Sequence, residues 1–122
     1  MLNLDTHIFL RAINGELSRS EEDVLARDNW GISSIVLWEI EKLWQKKRIQ
    51  TGLDHPAVST ALADLRQIWP ITPEVALNLR RLDFHSDPAD ELIAATSLTF
   101  DLPLVTRDDR LRASRVVRCL PE

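Results

Sequence analysis

The chain has few of the residues that stabilise small secreted domains or bind soft metals. It contains one cysteine, Cys119, and three glycines among 122 residues. A single cysteine excludes an internal disulfide and any site built from several cysteines. Cys119 lies in the apolar run Val116–Leu120, so we expect a buried, unreactive thiol. A reducing cytoplasm fits this cysteine usage best.

Several kinds of motif are also missing. There is no Gly-rich phosphate loop and no G-x-S-x-G elbow, and the three histidines lack the spacing of a zinc motif. No apolar run approaches the roughly 20 residues that would cross a membrane. The N-terminus lacks the basic stretch and apolar segment of a secretory signal. We therefore expect neither a membrane protein nor a zinc or serine hydrolase.

The composition is that of a soluble globular chain, and its length predicts one domain spanning residues 1–122. The net charge of −4 argues against a polyanionic partner, but the charge is uneven. Five arginines and only two aspartates lie between Arg107 and Arg118, and a second basic cluster comprises Lys42, Lys46, Lys47 and Arg48. These clusters are either solvated surface or the basic flanks of an acidic nuclease site.

Short apolar runs alternate with helix-like segments along the chain. Strands are predicted at Leu2–Leu4, Trp30–Ser33, Gln67–Ile71, Leu104–Thr106 and Val116–Leu120. Helices are predicted over Thr6–Ile13, from Ser20 to Arg27, from Ser33 or Ser34 to Lys47, over His55–Leu65, after Thr72 and over Pro88–Thr99. This alternation predicts an α/β fold of three layers, α/β/α, around a mainly parallel sheet.

Four acidic residues occupy positions that a fold alone does not require. Asp5 and Asp108 each follow an apolar strand, and ligands of such sheets bind at the carboxyl ends of the strands. Asp5 has an alternative role as a helix N-cap, and the adjacent Asp109 is a rival to Asp108.

Helical spacing identifies the other two acids less sharply. The residues three and four positions from Glu39 in the predicted helix are largely apolar. The same is true of Glu41, so spacing does not choose between the two. Asp90 lies on the small, apolar face of its helix, whereas Asp87, directly before Pro88, is interpreted as a structural cap. Together the four acids indicate an oxygen-rich site for Mg²⁺ or Mn²⁺.

Four segments, in this order, resemble the PIN-domain family and in particular its VapC-type ribonuclease toxins. They are Leu4–His7, Ile32–Ile40, Asp87–Thr96 and Leu104–Asp108. The resemblance covers nearly the whole chain and implies that the family's four acidic positions are Asp5, Glu39, Asp90 and Asp108. It also implies that the hydroxyls of Thr6 and Thr106 support the carboxylates or bound water.

The resemblance implies an endoribonuclease that depends on Mg²⁺ or Mn²⁺. Asp5, Asp90 and Asp108 would bind the metal, and Glu39 would bind it directly or through water. Arg107, Arg110 and Lys42 are candidate contacts to RNA, whereas Trp38 is expected to pack in the core. The family further implies a cognate antitoxin and a homodimer.

The alternative hypothesis is a non-catalytic module that keeps a PIN-like scaffold to bind RNA or protein. Retention of all four carboxylates argues against it. A phosphatase-like or receiver-like domain is disfavoured because Asp5-Thr6-His7 lacks the Asp-x-Asp of one phosphatase class. Metal-dependent cleavage of RNA would distinguish the ribonuclease from the non-catalytic module and from the phosphatase-like or receiver-like domain.

Overall fold

The structure is a computed structural model that describes residues 1–122. A five-stranded sheet lies at its centre. Its strands are β1 (Leu2–Leu4), β2 (Trp30–Ser33), β3 (Gln67–Trp69), β4 (Leu104–Val105) and β5 (Cys119–Leu120). Their order in the sheet is β3-β2-β1-β4-β5, and every neighbouring pair is parallel. All five predicted strands are present, and the predicted α/β fold with its mainly parallel sheet is confirmed.

Seven helices surround the sheet. They are α1 (Thr6–Asn14), α2 (Arg19–Leu25), α3 (Ile35–Gln45), α4 (Pro56–Asp64), α5 (Pro73–Asn78), α6 (Pro88–Phe100) and α7 (Asp109–Arg112), with a 3₁₀ turn at Leu79–Arg81. The first six match the predicted helices, whereas α7 is a single turn in a segment where no helix was predicted. None of the helices is both long enough and apolar enough to cross a membrane.

The strand order contains a reversal that decides where helices lie. From β1 the chain moves outward to β2 and β3, and it then returns past β1 to form β4 and β5. Because parallel crossovers are right-handed, the reversal places the helices before and after β3 on opposite faces of the sheet. The predicted three-layer arrangement follows, and the crevice between β1 and β4 is the switch point at which such sheets bind ligands.

The central strand β1 is fixed on both of its faces. Leu2 and Leu4 are buried in the hydrophobic core on one face. Asn3 points the other way, and its Nδ2 donates to the Ile93 carbonyl at 3.0 Å and to Ser97 Oγ at 2.9 Å. These bonds anchor α6 to the sheet and thereby set the position of the acidic residues in its first turn.

Two helix starts differ from the predictions. The N-cap of α2 is Ser18 and not Ser20, because Ser18 and Glu21 form a reciprocal capping box. Asp87 occupies the N-cap position of α6, but its side chain makes no capping hydrogen bond. Glu21 is therefore held inside the structure, and the Asp87 carboxylate remains exposed.

Gly31 in β2 is a point at which a side chain would not fit. A Cβ atom there would lie 2.5 Å from Cη2 of Trp69 and 2.8 Å from the Gln67 carbonyl oxygen. We expect Gly31→Ala to lower the free energy of unfolding by about 1–3 kcal/mol, since it forces β3 away from β2. Denaturant unfolding would measure this loss. Gly52→Ala is the matched control, because its Cβ would lie no nearer than 3.2 Å to the Trp44 ring and 3.4 Å to Asp54 Oδ1. Equal midpoints for Gly31→Ala and the parent would contradict the expectation.

Candidate active site

Asp5 and Thr106 meet at the carboxyl ends of the two strands beside the switch point. The register pairs Leu4 with Val105, so the next residues of β1 and β4 lie side by side. Thr106 Oγ1 donates to Asp5 Oδ2 at 2.6 Å, and the backbone N–H of His7 donates to Asp5 Oδ1 at 2.9 Å. Asp5 is thus the N-cap of α1, as the structural alternative proposed, and at the same time lies at the ligand-binding edge of the sheet.

The same threonine connects Asp5 to Asp108. The backbone N–H of Asp108 donates to Thr106 Oγ1 at 3.0 Å, and Asp108 Oδ1 accepts from the Leu111 N–H at 3.0 Å. Asp108 is therefore the N-cap of α7. Thr106 is fully buried. Its hydroxyl orients the Asp5 carboxylate directly and positions Asp108 through the backbone N–H of Asp108.

Asp90 contributes a third carboxylate from the first turn of α6. Ser86 Oγ donates to its Oδ2 at 3.0 Å. Burial raises the pKa of Asp90 from the ordinary 3.8 to about 6; the charges of Asp5, Glu39 and Asp108 add to the rise, and the bond from Ser86 opposes it. The four acids predicted from the sequence therefore share one electrostatic environment.

Glu39 and Glu41, which helical spacing left open, differ in the structure. Glu39 is partly buried and is one of the three charges that act on Asp90. Glu41 Oε2 accepts a hydrogen bond from the exposed Gln45 side chain at 2.8 Å and lines a separate cavity with Trp44. The structure thus brings Glu39, and not Glu41, to the site.

None of the four carboxylates has a cationic partner in the protein. The ion pairs of the chain involve other acids, namely Glu16, Glu21, Asp28 and Glu91. Asp5 is buried, Glu39 and Asp90 are partly buried, and Asp108 is exposed. Buried acids without cations are costly, and a bound metal ion offsets that cost. No group of three His, Cys, Asp or Glu side chains is placed to hold a metal ion on its own. Mg²⁺ typically keeps several waters and binds through one or two carboxylates, so the acids suit a hydrated cation.

A buried hydroxyl beside Asp5 supports the same interpretation. Thr6 Oγ1 is fully buried and has no hydrogen-bond partner within the protein. Buried hydroxyls are nearly always hydrogen-bonded, so a bound water or ligand is the expected partner. The residues present fit a hydrated, oxygen-bound cation.

Comparison with known proteins identifies the family. The sequence profile of the PIN domain matches residues 3–116. The chain belongs to the PIN-domain family. It is also 36% identical over 90 residues to ribonuclease VapC22 of Mycobacterium tuberculosis, an alignment that covers 72% of this chain and 69% of that protein. The resemblance seen in the four sequence segments is confirmed.

Solved structures show the same PIN-domain fold. The VapBC2 complex of Rickettsia felis, crystallised with a promoter DNA fragment, contains a chain that matches with a TM-score of 0.74 and 22% identity, covering 98% of this chain and 97% of that one. A toxin–antitoxin complex from Klebsiella pneumoniae matches with a TM-score of 0.70 and 19% identity, covering 96% and 95%. At these identities the likeness concerns the fold alone.

Arg107, predicted as an RNA contact, binds an acidic side chain of its own chain. Its Nε and Nη2 each lie 2.6 Å from an oxygen of Glu21, a bidentate pair, and Nη2 also donates to the Glu16 carbonyl at 3.3 Å. Arg110 Nη1 donates to the His85 carbonyl at 2.8 Å. Sequence reasoning missed the Glu21–Arg107 pair because the two residues are 86 positions apart and no local pattern relates them. An RNA contact by either arginine stays a prediction.

Two further residues were missed or misplaced by the sequence analysis. Ser86 donates to Asp90, yet no pattern before Asp87-Pro88 marks it. Trp38 was expected in the core, but half of its surface is exposed, so that expectation is wrong. The signal was present: the residues three and four positions after Trp38 are Glu41 and Lys42, which indicate a polar helix face.

The Glu21–Arg107 pair should stabilise the fold in a pH-dependent way. The hydrogen bond from Arg107 lowers the pKa of Glu21 from 4.5 to about 2. We expect Glu21→Gln to lower the free energy of unfolding by about 1–3 kcal/mol at pH 7, since it removes a charge-assisted contact. The difference from the parent should persist above about pH 4.5 and disappear as the pH falls towards 2, because the parent Glu21 is then protonated too.

Denaturant unfolding at several pH values would measure this effect. Glu22→Gln is the matched control, since Glu22 is exposed in the same helical turn. A pH-independent difference between Glu21→Gln and the parent would show that the ion pair does not account for the stability.

Proposed function

We propose that this PIN-domain protein is an endoribonuclease that depends on Mg²⁺ or Mn²⁺, and that it is the toxin of a VapBC-type toxin–antitoxin pair. The observation that carries the proposal is the shared environment of four acids without a cation. Burial and the neighbouring charges of Asp5, Glu39 and Asp108 raise the pKa of Asp90. The alignment with a protein named a ribonuclease supports RNA as the substrate.

Asp5, Asp90 and Asp108 are the proposed metal ligands. Each accepts its protein hydrogen bonds from neutral donors, which orient the carboxylate without cancelling its charge. A bound divalent cation supplies Lewis-acid activation of water and offsets charge at the scissile phosphate. Thr106 holds Asp5 in place, and the unpartnered hydroxyl of Thr6 is the proposed contact to bound water.

Glu39 has a different proposed role. It lies on α3, apart from the strand ends that carry Asp5 and Asp108, and no hydrogen bond within the protein orients its carboxylate. A partly buried carboxylate of this kind can accept a proton from the attacking water or complete the cation's ligands. Lys42, one turn further along α3 and exposed, is the proposed contact to the RNA backbone.

The toxin assignment also concerns partners. Solved structures of similar fold are toxin–antitoxin complexes, such as that from Klebsiella pneumoniae. We propose by this likeness that a cognate antitoxin covers the acidic site, and that the protein forms a homodimer. Co-purification with the product of an adjacent gene would test the first proposal, and sedimentation would test the second.

Removal of the central carboxylate should abolish the activity. We expect Asp5→Asn to reduce RNA cleavage at least about 100-fold, because even outer residues of metal sites account for about 10- to 100-fold. EDTA should abolish cleavage by the parent, and Mg²⁺ or Mn²⁺ should restore it. Cleavage of a labelled RNA, followed by gel electrophoresis, would measure both effects.

Asp101→Asn is the matched control for this substitution. Asp101 ends α6 with φ 54°, a left-handed conformation that asparagine also tolerates, and it precedes β4 at the opposite end of the strand. The control should cleave as the parent does. RNA binding without turnover by the parent would instead favour the non-catalytic module.

Metal binding should depend on pH through Asp90. Because the raised pKa of about 6 keeps Asp90 partly protonated below neutrality, protons compete with the cation there. We expect the apparent Kd for Mn²⁺ to be about tenfold weaker at pH 5 than at pH 7. Titration calorimetry would measure this Kd. The Asp90→Asn protein should bind Mn²⁺ more weakly than the parent and should lose the tenfold change between pH 5 and pH 7. Equal affinity at both pH values in the parent would contradict the role of Asp90.

A further inference from the structure

Trp38 is exposed at the edge of the candidate active site. It directly precedes Glu39 on α3, and 50% of its surface is accessible. The Nζ of Lys42 lies 6.0 Å from the centre of its ring, at the outer limit of a cation–π contact. A large aromatic ring in solvent, beside a cation and one residue from a site carboxylate, has no role in the core.

Trp38 forms one wall of a cleft between α3 and the start of α6. The cleft has a volume of about 330 Å³, and Glu39 also lines it. Its cations are Lys42, Lys46 and Arg48, and its other acid is Asp87. This volume lies within the range of about 300–1,000 Å³ typical of small-ligand sites. A molecule held here has one end at Glu39 of the candidate active site and the other among cations.

A second cleft continues the first. It has a volume of about 580 Å³ and shares His7 and Arg48 with the first cleft, and it extends along α1 to Arg11. None of Lys42, Lys46 and Arg48 is in an ion pair with an acid of the chain. The two clefts adjoin at His7 and Arg48 and form one path. Its far end carries the Arg11–Glu16 ion pair, and its unpaired cations lie at the end beside Trp38.

We propose that this path binds single-stranded RNA, with one unpaired base stacked on Trp38 and the adjacent phosphates at Lys46 and Arg48. The inference rests on the proposed ribonuclease function and adds to it the side chains that dock the substrate. Aromatic stacking requires a base removed from its helix, and cations along a groove follow the backbone. Charge complementarity selects a polyanion over an apolar helix or a second copy of this acidic chain.

Binding of a labelled RNA by the Asp5→Asn protein tests the proposal. The probes are a fluorescein-labelled single strand and a hairpin duplex of the same length, compared by fluorescence anisotropy. We expect Asp5→Asn to prefer the single strand. Adding Trp38→Ala should weaken single-strand binding about 5- to 150-fold, the range found for lost base stacking, and Trp38→Phe should retain most of it.

Trp44→Ala in the same background is the matched control. Trp44 lies on the same helix with similar exposure, 44%, but it lines a different cavity. We expect this variant to bind RNA as the background protein does. A thermal melt of each variant checks that the fold is intact. In the parent, Trp38→Ala should raise KM for the single strand more than it lowers kcat.

Several results would overturn the proposal. They are equal RNA binding by the Trp38→Ala and background proteins, equal affinity for the hairpin and the single strand, or conversion of a dimer to a monomer by Trp38→Ala in sedimentation. The last result would show that a second copy covers the ring. If the parent still cleaved RNA while any one of these three results was found, only the proposed docking surface would be refuted. Trp38-dependent RNA binding without metal-dependent cleavage would refute only the nuclease function.

Discussion

The parallel pairing of β1 with β4 is the constraint on which the candidate site depends. It places Asp5 beside Thr106, which is 101 positions away in the sequence, and one hydrogen bond of 2.6 Å joins them. Since Thr106 also accepts from the Asp108 N–H, one buried hydroxyl relates two carboxylates to each other. The pairing lies where the strand order reverses, so neither neighbouring helix layer closes the crevice above it. A shift in the register of β4 would therefore move both Thr106 and Asp108 away from Asp5.

The way in which the carboxylates are held explains how the fold tolerates their repulsion. Their donors are the hydroxyls of Thr106 and Ser86 and the backbone N–H groups of His7 and Leu111. These groups are neutral, so they fix the side chains and leave the negative charge uncancelled. Burial, with the charges of the neighbouring acids adding to it, raises the pKa of Asp90 to about 6. By contrast, Glu21 pairs with Arg107 and its pKa falls to about 2. The chain thus pairs the buried Glu21 with a cation of its own and leaves the four acids of the candidate site without one.

Sequence patterns predicted the strands and the first six helices, and they failed where tertiary contacts decide the outcome. The role of the four acids stays a prediction. Apolar runs predict β1 and β4 because strands that are buried on both faces of a sheet consist mainly of apolar residues. Glu39 and Glu41 could not be separated by periodicity, since both have apolar neighbours three and four residues away. The family resemblance selected Glu39, and in the structure α3 packs against α6, the helix that carries Asp90. The Glu21–Arg107 pair joins residues 86 apart and has no local signal. Trp38 was misplaced because its size outweighed the polar residues of its own helical face.

Exposure and pairing of the cations are more informative about RNA than the net charge of −4. On the β4 side of the site, Arg107 binds Glu21, Arg110 binds the His85 carbonyl and Arg112 binds the Thr106 carbonyl. Those guanidinium groups hold the loop that presents Asp108. On the α3 side, Lys42, Lys46 and Arg48 have no acidic partner within 4 Å and line the cleft beside Trp38. An approaching polyanion gains more from unpaired cations than from paired ones, whose field their partners cancel. The asymmetry therefore supports the proposed path, in which RNA reaches the four acids from the α3 side, across Trp38.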